Sequence, residues 1–348
     1  MSVKRIEHID AWRFFAVMLV IQEHFLLFSG IDRYFSQIET YSLQIERFGE
    51  LGVLIFFSIS GFVISTALIS EKKATGKICL SAFYIRRFFR IIPPLWLYLI
   101  TLAALSAFGL IKVSPQQLLT SFTFLCNLPF EKGCSWFAGH TWSLAYEEQF
   151  YLFFPLLFLW AWRGHKNIRL FSAIFFLLWM ACLLRFAKHI FWSEYAGYFL
   201  FLLMGCFTAF LPAATMQKLR TLPYGTWFLA VFFLIGLLLF LPNNHDAYFK
   251  ILLYPILIQI VVFGTPTHFP NIKAIFENNI LCYLGRISYS VYLWQELALS
   301  YYQNMPWWVN VAYLLLVFVF SVFSFHFFEI PCQKLGTQLS NQLKASKT

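Results

Sequence analysis

The 348 residues are 60% hydrophobic and only 12% charged, with 44 Phe, 17 Tyr and 12 Trp and a formal net charge of +10. Soluble domains carry about 25% charged and about 45–50% apolar residues, and one soluble core of this length has no means of burying so much apolar surface. The composition excludes a disordered chain, a secreted disulfide scaffold and a nucleic-acid binder, and in a membrane protein the basic excess is first a topology signal.

A transmembrane helix needs roughly 20 predominantly apolar residues. Candidates in chain order are 9–29, 50–70, 89–110, 142–162, 170–187, 195–212, 225–242, 248–264, 280–302 and 308–328. The prediction is an all-α, polytopic integral membrane protein of about ten transmembrane helices lying in the lipid bilayer. It forms a single membrane domain over 1–348, with its core at about 8–331 and no room for a soluble domain. The first span opens with Lys4, Arg5, Asp10 and Arg13 and ends without a small-residue cleavage site, so it reads as a retained helix rather than a signal peptide. With the N-terminus inside, Lys and Arg divide 17 against 7 in favour of the cytoplasmic segments, leaving out Arg13 and Arg286 within spans. Both termini are therefore expected in the cytoplasm.

The seven cysteines show no CxxC or Cys/His spacing, so no metal site is expected. Cys126 and Cys134 lie eight residues apart in the longest outward connection, about 111–141, facing an oxidising compartment. A disulfide and a pair of free thiols both stay open there.

Charges within spans are costly and mark functional positions. The first helix carries Asp10, Arg13, Glu23 and His24. At about 100° per residue, the step from Arg13 to His24 is within about 20° of three full turns, and Asp10 to His24 falls about 40° short of four. These three share one face, while Glu23 lies about 100° away. The rise of about 1.5 Å per residue separates Arg13 from His24 by roughly 16 Å, which places His24 in the outer half of the bilayer. A hydrogen-bonded structural histidine in a helix interface is the other reading of His24. The fourth span supplies Glu147 and Glu148 from the same side of the membrane. A carboxylate there is suited to orient the imidazole and balance its cation. Glu147 is the candidate, and Glu148 reads as facing the outer interface. A third cluster, Arg86 to Pro93, opens the third span, with Arg87 and Arg90 on one face and Arg286 at the same level of the ninth. Positive-inside anchoring accounts for Arg86. Several inward arginines instead suit a polyphosphate, which guanidinium forks bind bidentately. A phosphate-bearing donor entering from the cytosol would thread its reactive end toward His24.

With those residues in place, the chain resembles the acyltransferase family 3 membrane proteins, over Ile9 to Pro331. The resemblance rests on Asp10-Ala11-Trp12-Arg13 followed by His24, on Gly52 to Phe62, on Arg87-Phe88-Phe89-Arg90, on Trp142-Ser143-Leu144-Ala145-Tyr146-Glu147, and on Leu284 to Trp294 with Arg286 and Tyr289. It implies an O-acyltransferase of the cell (inner) membrane. The implied donor is an acyl-CoA, chiefly acetyl-CoA, and the acceptor a hydroxyl on a surface glycan such as lipopolysaccharide or on a lipid-linked saccharide. It carries over His24 as the essential histidine and Arg13, Arg87 and Arg90 as key arginines. Together with the residues read above, catalysis is expected at His24 with Glu147, donor binding at Arg13, Arg87, Arg90 and Arg286, and supporting roles at Asp10, Trp142, Ser143 and Tyr289. Gln295 stands where relatives often have His. No esterase-like domain is expected after the last span, unlike some relatives, so any such periplasmic partner would be a separate chain.

The expected mechanism is direct transfer with His24 as general base; a covalent acyl group on His24 or Ser60 is the alternative route. The rival class is a saccharide or lipid transporter or flippase with intramembrane His and Glu as a proton relay. The sequence has no inverted repeat or matched broken helices to match it. A purely structural subunit would need no arginine cluster.

Overall fold

The computed structural model describes residues 6–28, 37–128, 134–162, 190–241, 252–299 and 306–345, together with Ile174 and Leu177. Among them the chain is helical, without strands. Besides the single turn Gln37–Thr40, the α-helices are α1 (Glu7–Phe28), α2 (Ser42–Thr75), α3 (Leu80–Ala107), α4 (Pro115–Phe122), α5 (Thr141–Trp162), α6 (Ile190–Phe210), α7 (Ala213–Arg220), α8 (Tyr224–Phe240), α9 (Tyr254–Phe263), α10 (Pro270–Phe276), α11 (Asn279–Arg286), α12 (Ser288–Leu299), α13 (Trp307–Ser324) and α14 (Ile330–Ala345).

Four helical stretches among the described residues are long and apolar enough to cross a membrane: Glu7–Phe28, Ser42–Thr75, Leu80–Ala107 and Trp308–Ala345. A fifth arises if Gly197–Phe210 and Ala213–Arg220, bent by 109°, form one span. Rows of large apolar side chains stand outward, among them Leu152, Phe153, Leu156 and Trp160 on α5 and Leu315, Leu316 and Val319 on α13. Such faces on apolar helices mark a membrane protein. The stretch expected as a ninth span, 280–302, is broken at Ile287 into α11 and α12, and the expected fifth span, 170–187, lies outside the described residues except for Ile174 and Leu177. The last span runs on past its expected end. A π-helical turn, Phe325–Glu329, joins α13 to α14 in one continuous helix.

Contacts divide the chain into two compact units. The first comprises Met1–Val20, Glu46–Gly76 and Phe150–Arg286. Its helices approach backbone to backbone where glycine allows. A Cβ on Gly61 of α2 would strike the Leu202 carbonyl of α6, one on Gly205 the Ser58 carbonyl, and one on Gly285 the Asp10 carbonyl. Small residues at such crossings are what membrane helices use to gain contact area. One polar cluster inside this unit is matched: Gln259 accepts from Thr208 Oγ1 at 2.8 Å and donates to Ser58 Oγ at 3.1 Å.

The second unit comprises Ile21–Ile45, Lys77–Gln149 and Ile287–Thr348. Its core joins α3, the short turn Trp136–Ala138, the start of α5, and α12 through Leu95, Tyr98, Leu102, Phe137, Leu144 and Leu293. Pro93 and Pro94 sit inside α3 and remove two backbone donors. The Tyr289 hydroxyl donates to the Ile91 carbonyl at 2.9 Å in the same stretch of α3. α14 lies along α3, with Gly336 under the Phe89 ring and Arg86 donating to Ser340 Oγ. α4 begins with a capping box, Ser114 and Gln117 exchanging backbone N–H bonds, and Pro115 follows. Cys126 and Cys134, beyond its end, are disulfide-bonded with Cα atoms 5.5 Å apart.

Candidate active site

His24, on the last turn but one of α1, belongs to the second unit, and so do Arg87, Arg90, Trp142, Ser143, Glu147 and Tyr289. His24 is half-buried, with its ring 6.1 Å from that of Phe28. Its Nδ1 is buried and without a hydrogen-bond partner. Three side chains act on the ring: Glu296, His140 and Gln295. Gln295 lies against it without reaching hydrogen-bond geometry, since neither Nε2 nor Oε1 of the amide completes a bond.

His140 is held from both sides. It precedes α5 in a turn, so its backbone N–H is not spent within a helix and donates to Glu296 Oε1 at 3.0 Å. Its Nδ1 stands 2.6 Å from Glu296 Oε2, close but out of line, so neither atom completes a hydrogen bond. The His140 carbonyl accepts from Tyr292 Oη and Ser143 Oγ, each at 3.1 Å, and the two hydroxyls are 2.8 Å apart. Tyr98 and Tyr292 meet the His140 ring edge-on at 5.5 and 5.3 Å. Tyr98 in turn donates to the Phe137 carbonyl. All of these residues are buried, so the imidazole and carboxylate are fixed before any ligand arrives.

From there polar groups continue through the same unit. Glu147 and Glu23 act on the Tyr292 hydroxyl, and Glu147 also on Tyr289. Glu148 interacts with Arg87, whose guanidinium is 5.9 Å from the Phe83 ring. Arg90 acts on Tyr289 and on Glu329, a carboxylate only 1% exposed in the π turn. The chain of groups thus runs from His24 through Glu296, Tyr292, Glu147 and Tyr289 to Arg90.

Two of the readings made from sequence differ in the structure. The carboxylate acting on His24 is Glu296, while Glu147, seven residues beyond His140, acts on the two tyrosines. Glu148 faces inward, with a buried Oε1 and Arg87 as its cation, rather than the outer interface. Asp10, Arg13 and Arg286 belong to the first unit. There Asp10 is buried against Gly285, and Arg286 is exposed beside the Tyr283 ring at 5.6 Å. Ser60 also lies in that unit, next to Gly61.

Sequence reading passed over His140, Glu296, Tyr98, Tyr292 and Glu329. Glu296 carried a usable signal as the one acidic residue within the apolar stretch 280–302. Among the described residues no group of His, Cys, Asp and Glu is placed to hold a metal ion.

A family model described as an acyltransferase domain, acyltransferase family 3, matches residues 6–326. O-acetyltransferase OatA of Staphylococcus aureus (strain NCTC 8325 / PS 47) is 28% identical over 322 residues, covering 83% of this chain and 53% of that protein. A protein of Staphylococcus aureus (strain COL), provisionally named an O-acetyltransferase, is 28% identical over 332 residues, covering 84% of this chain and 54% of its own. The chain therefore spans about half the length of these curated relatives. No solved structure matches it. With its model matched from Ile6 to His326, the chain belongs to acyltransferase family 3.

Proposed function

We propose that the protein is a membrane O-acyltransferase that moves an acyl group, chiefly acetyl, from acyl-CoA to a hydroxyl of a surface glycan or lipid-linked saccharide. The observation that carries this reading is a half-buried histidine with a preorganised carboxylate–imidazole pair behind it, in the same unit as two inward arginines. The proposed setting is the cell (inner) membrane, with about ten spans and both termini cytoplasmic, supported by the apolar stretches and the Lys/Arg bias.

In the proposed reaction, His24 takes the proton of the acceptor hydroxyl as its oxygen bonds to the acyl carbon. The carbon–sulfur bond breaks, and the departing CoA sulfur receives the proton from His24. Glu296, held in place by His140, balances the positive charge on the ring between those two transfers. A positioned base of this kind contributes about 10²–10⁴-fold. Arg87 and Arg90 take the phosphates of the donor, with Glu148, Glu329 and Tyr289 setting their directions.

The experiment is transfer of radiolabelled acetyl from acetyl-CoA to surface glycan by detergent-purified protein. Label in the glycan, with one CoA released per acetyl moved, supports the reading. Glycan bound or carried with no CoA release would replace it with transport.

A further inference from the structure

Gln295 is fully buried, at 0% exposure, and both polar atoms of its amide lack hydrogen-bond partners. An amide left in this condition loses the hydration of a donor and an acceptor together, a cost of about 1–3 kcal/mol for each group. Packing does not account for an amide at this position, since a methionine of similar volume would fill the space without that cost. The amide lies against the His24 ring, whose buried Nδ1 is likewise unpaired. Its neighbour Glu296 is by contrast engaged with His140, by a backbone bond to one oxygen and a close approach of the ring to the other. The unused hydrogen-bonding capacity therefore collects beside the His24 ring.

We propose that Gln295 is the acceptor anchor, and that it selects a saccharide presenting two adjacent hydroxyls. This rests on the acyltransferase reading above. A single hydroxyl donates one hydrogen bond and accepts others. If the reacting hydroxyl donates to His24 and accepts from Gln295 Nε2–H, the Gln295 Oε1 still requires a donor. The hydroxyl on the neighbouring carbon supplies it. The side-by-side C=O and NH₂ of a carboxamide match the side-by-side hydroxyls of a 1,2-diol, and a lone alcohol leaves Oε1 buried and unsatisfied. A site built on such a bond discriminates strongly against acceptors that lack it. Gln295 touches the acceptor and carries no proton in the transfer, so its removal acts on acceptor binding before it acts on the chemistry.

The test uses surface glycan extracted from cells that lack the protein. One half is oxidised with periodate and reduced with borohydride, which opens 1,2-diols and leaves isolated hydroxyls. Both halves are offered with radiolabelled acetyl-CoA to purified wild type, Gln295→Met and His24→Ala. Wild type should label native glycan and lose about 10- to 100-fold on the treated half, as expected for one lost buried hydrogen bond. Gln295→Met should label native glycan at that same reduced rate through a raised acceptor KM, with the donor KM unchanged. Wild-type labelling of both halves, or full labelling by Gln295→Met, overturns the proposal while leaving the acyltransferase reading intact. No labelling by wild type overturns both. Equal thermal melting of the variants separates loss of recognition from loss of fold.

Discussion

His140 and Glu296, 156 positions apart in sequence, meet twice: the backbone N–H of His140 donates to Oε1 at 3.0 Å, and its ring Nδ1 stands 2.6 Å from Oε2. The backbone bond fixes the carboxylate independently of the charge on the ring. Glu296 can therefore act on His24 from a set position, and Glu296→Gln keeps the shape and an acceptor for the backbone while removing the charge. Acyl transfer should fall about 10- to 1000-fold in kcat, with little change in either KM, within the range a base and its orienting carboxylate supply. Steady-state kinetics on membranes with matched protein levels check this. An unchanged kcat would remove Glu296 from the reaction.

Arg87 offers the corresponding test for the donor. A charge-assisted hydrogen bond contributes about 1.5–3 kcal/mol, so Arg87→Ala should raise the acetyl-CoA KM by about 10- to 100-fold. Helix content should stay the same, because the guanidinium is half-buried rather than part of the apolar core. Binding of acetyl-CoA measured calorimetrically, together with circular dichroism, separates the two effects. Unchanged affinity would show that the arginines do not hold the donor.

The Cys126–Cys134 bond closes a loop with a sequence separation of 8, and Thr141 Oγ1 at the head of α5 lies 3.0 Å from Cys126 Sγ. A loop of that size removes about 2–3 kcal/mol of chain entropy from the unfolded state. Replacing both cysteines with alanine should lower the melting temperature of the solubilised protein. Adding reductant to wild type should reproduce the shift, and adding it to the double variant should do nothing further. Since the segment from 134 to 141 carries His140, activity should fall with the same treatment.

Gly61→Ala tests the packing of the first unit alone. The new methyl would meet the Leu202 carbonyl, a backbone atom that cannot rotate away. Overpacking of this kind costs about 1–3 kcal/mol or more. The variant should melt lower and purify in reduced yield, while Gly197→Ala, where nothing lies within 4 Å of the added carbon, should match wild type.

The helical membrane architecture was legible because each apolar run states its own environment: Phe14 to Leu27 or Leu51 to Ile69 cannot be solvated. His24, Arg87, Arg90 and Glu147 stand out as candidates for a related reason, since an ionisable group inside an apolar run must be used or paired. His140 was hidden by lying in a turn outside the helix it serves, where a histidine is unremarkable. Glu296 was in plain view, yet its pairing depends on a separation of 156 residues that no local pattern encodes. The presence of Glu296 beside His24 was not legible, because helical periodicity gives the face of a residue and leaves open which neighbouring helix stands opposite it. The break at Ile287 escaped notice for a similar reason: no proline or glycine cluster marks it, and only the α11 and α12 geometry reveals it.

The central claim is that His24 performs the proton transfer of O-acylation. The most direct measurement is alkali-labile acetate on the surface glycans of cells expressing wild type or His24→Ala at equal protein levels. Acetate with wild type, and a loss of about 10²-fold or more with the variant, is the predicted result. Equal acetate in both would contradict it.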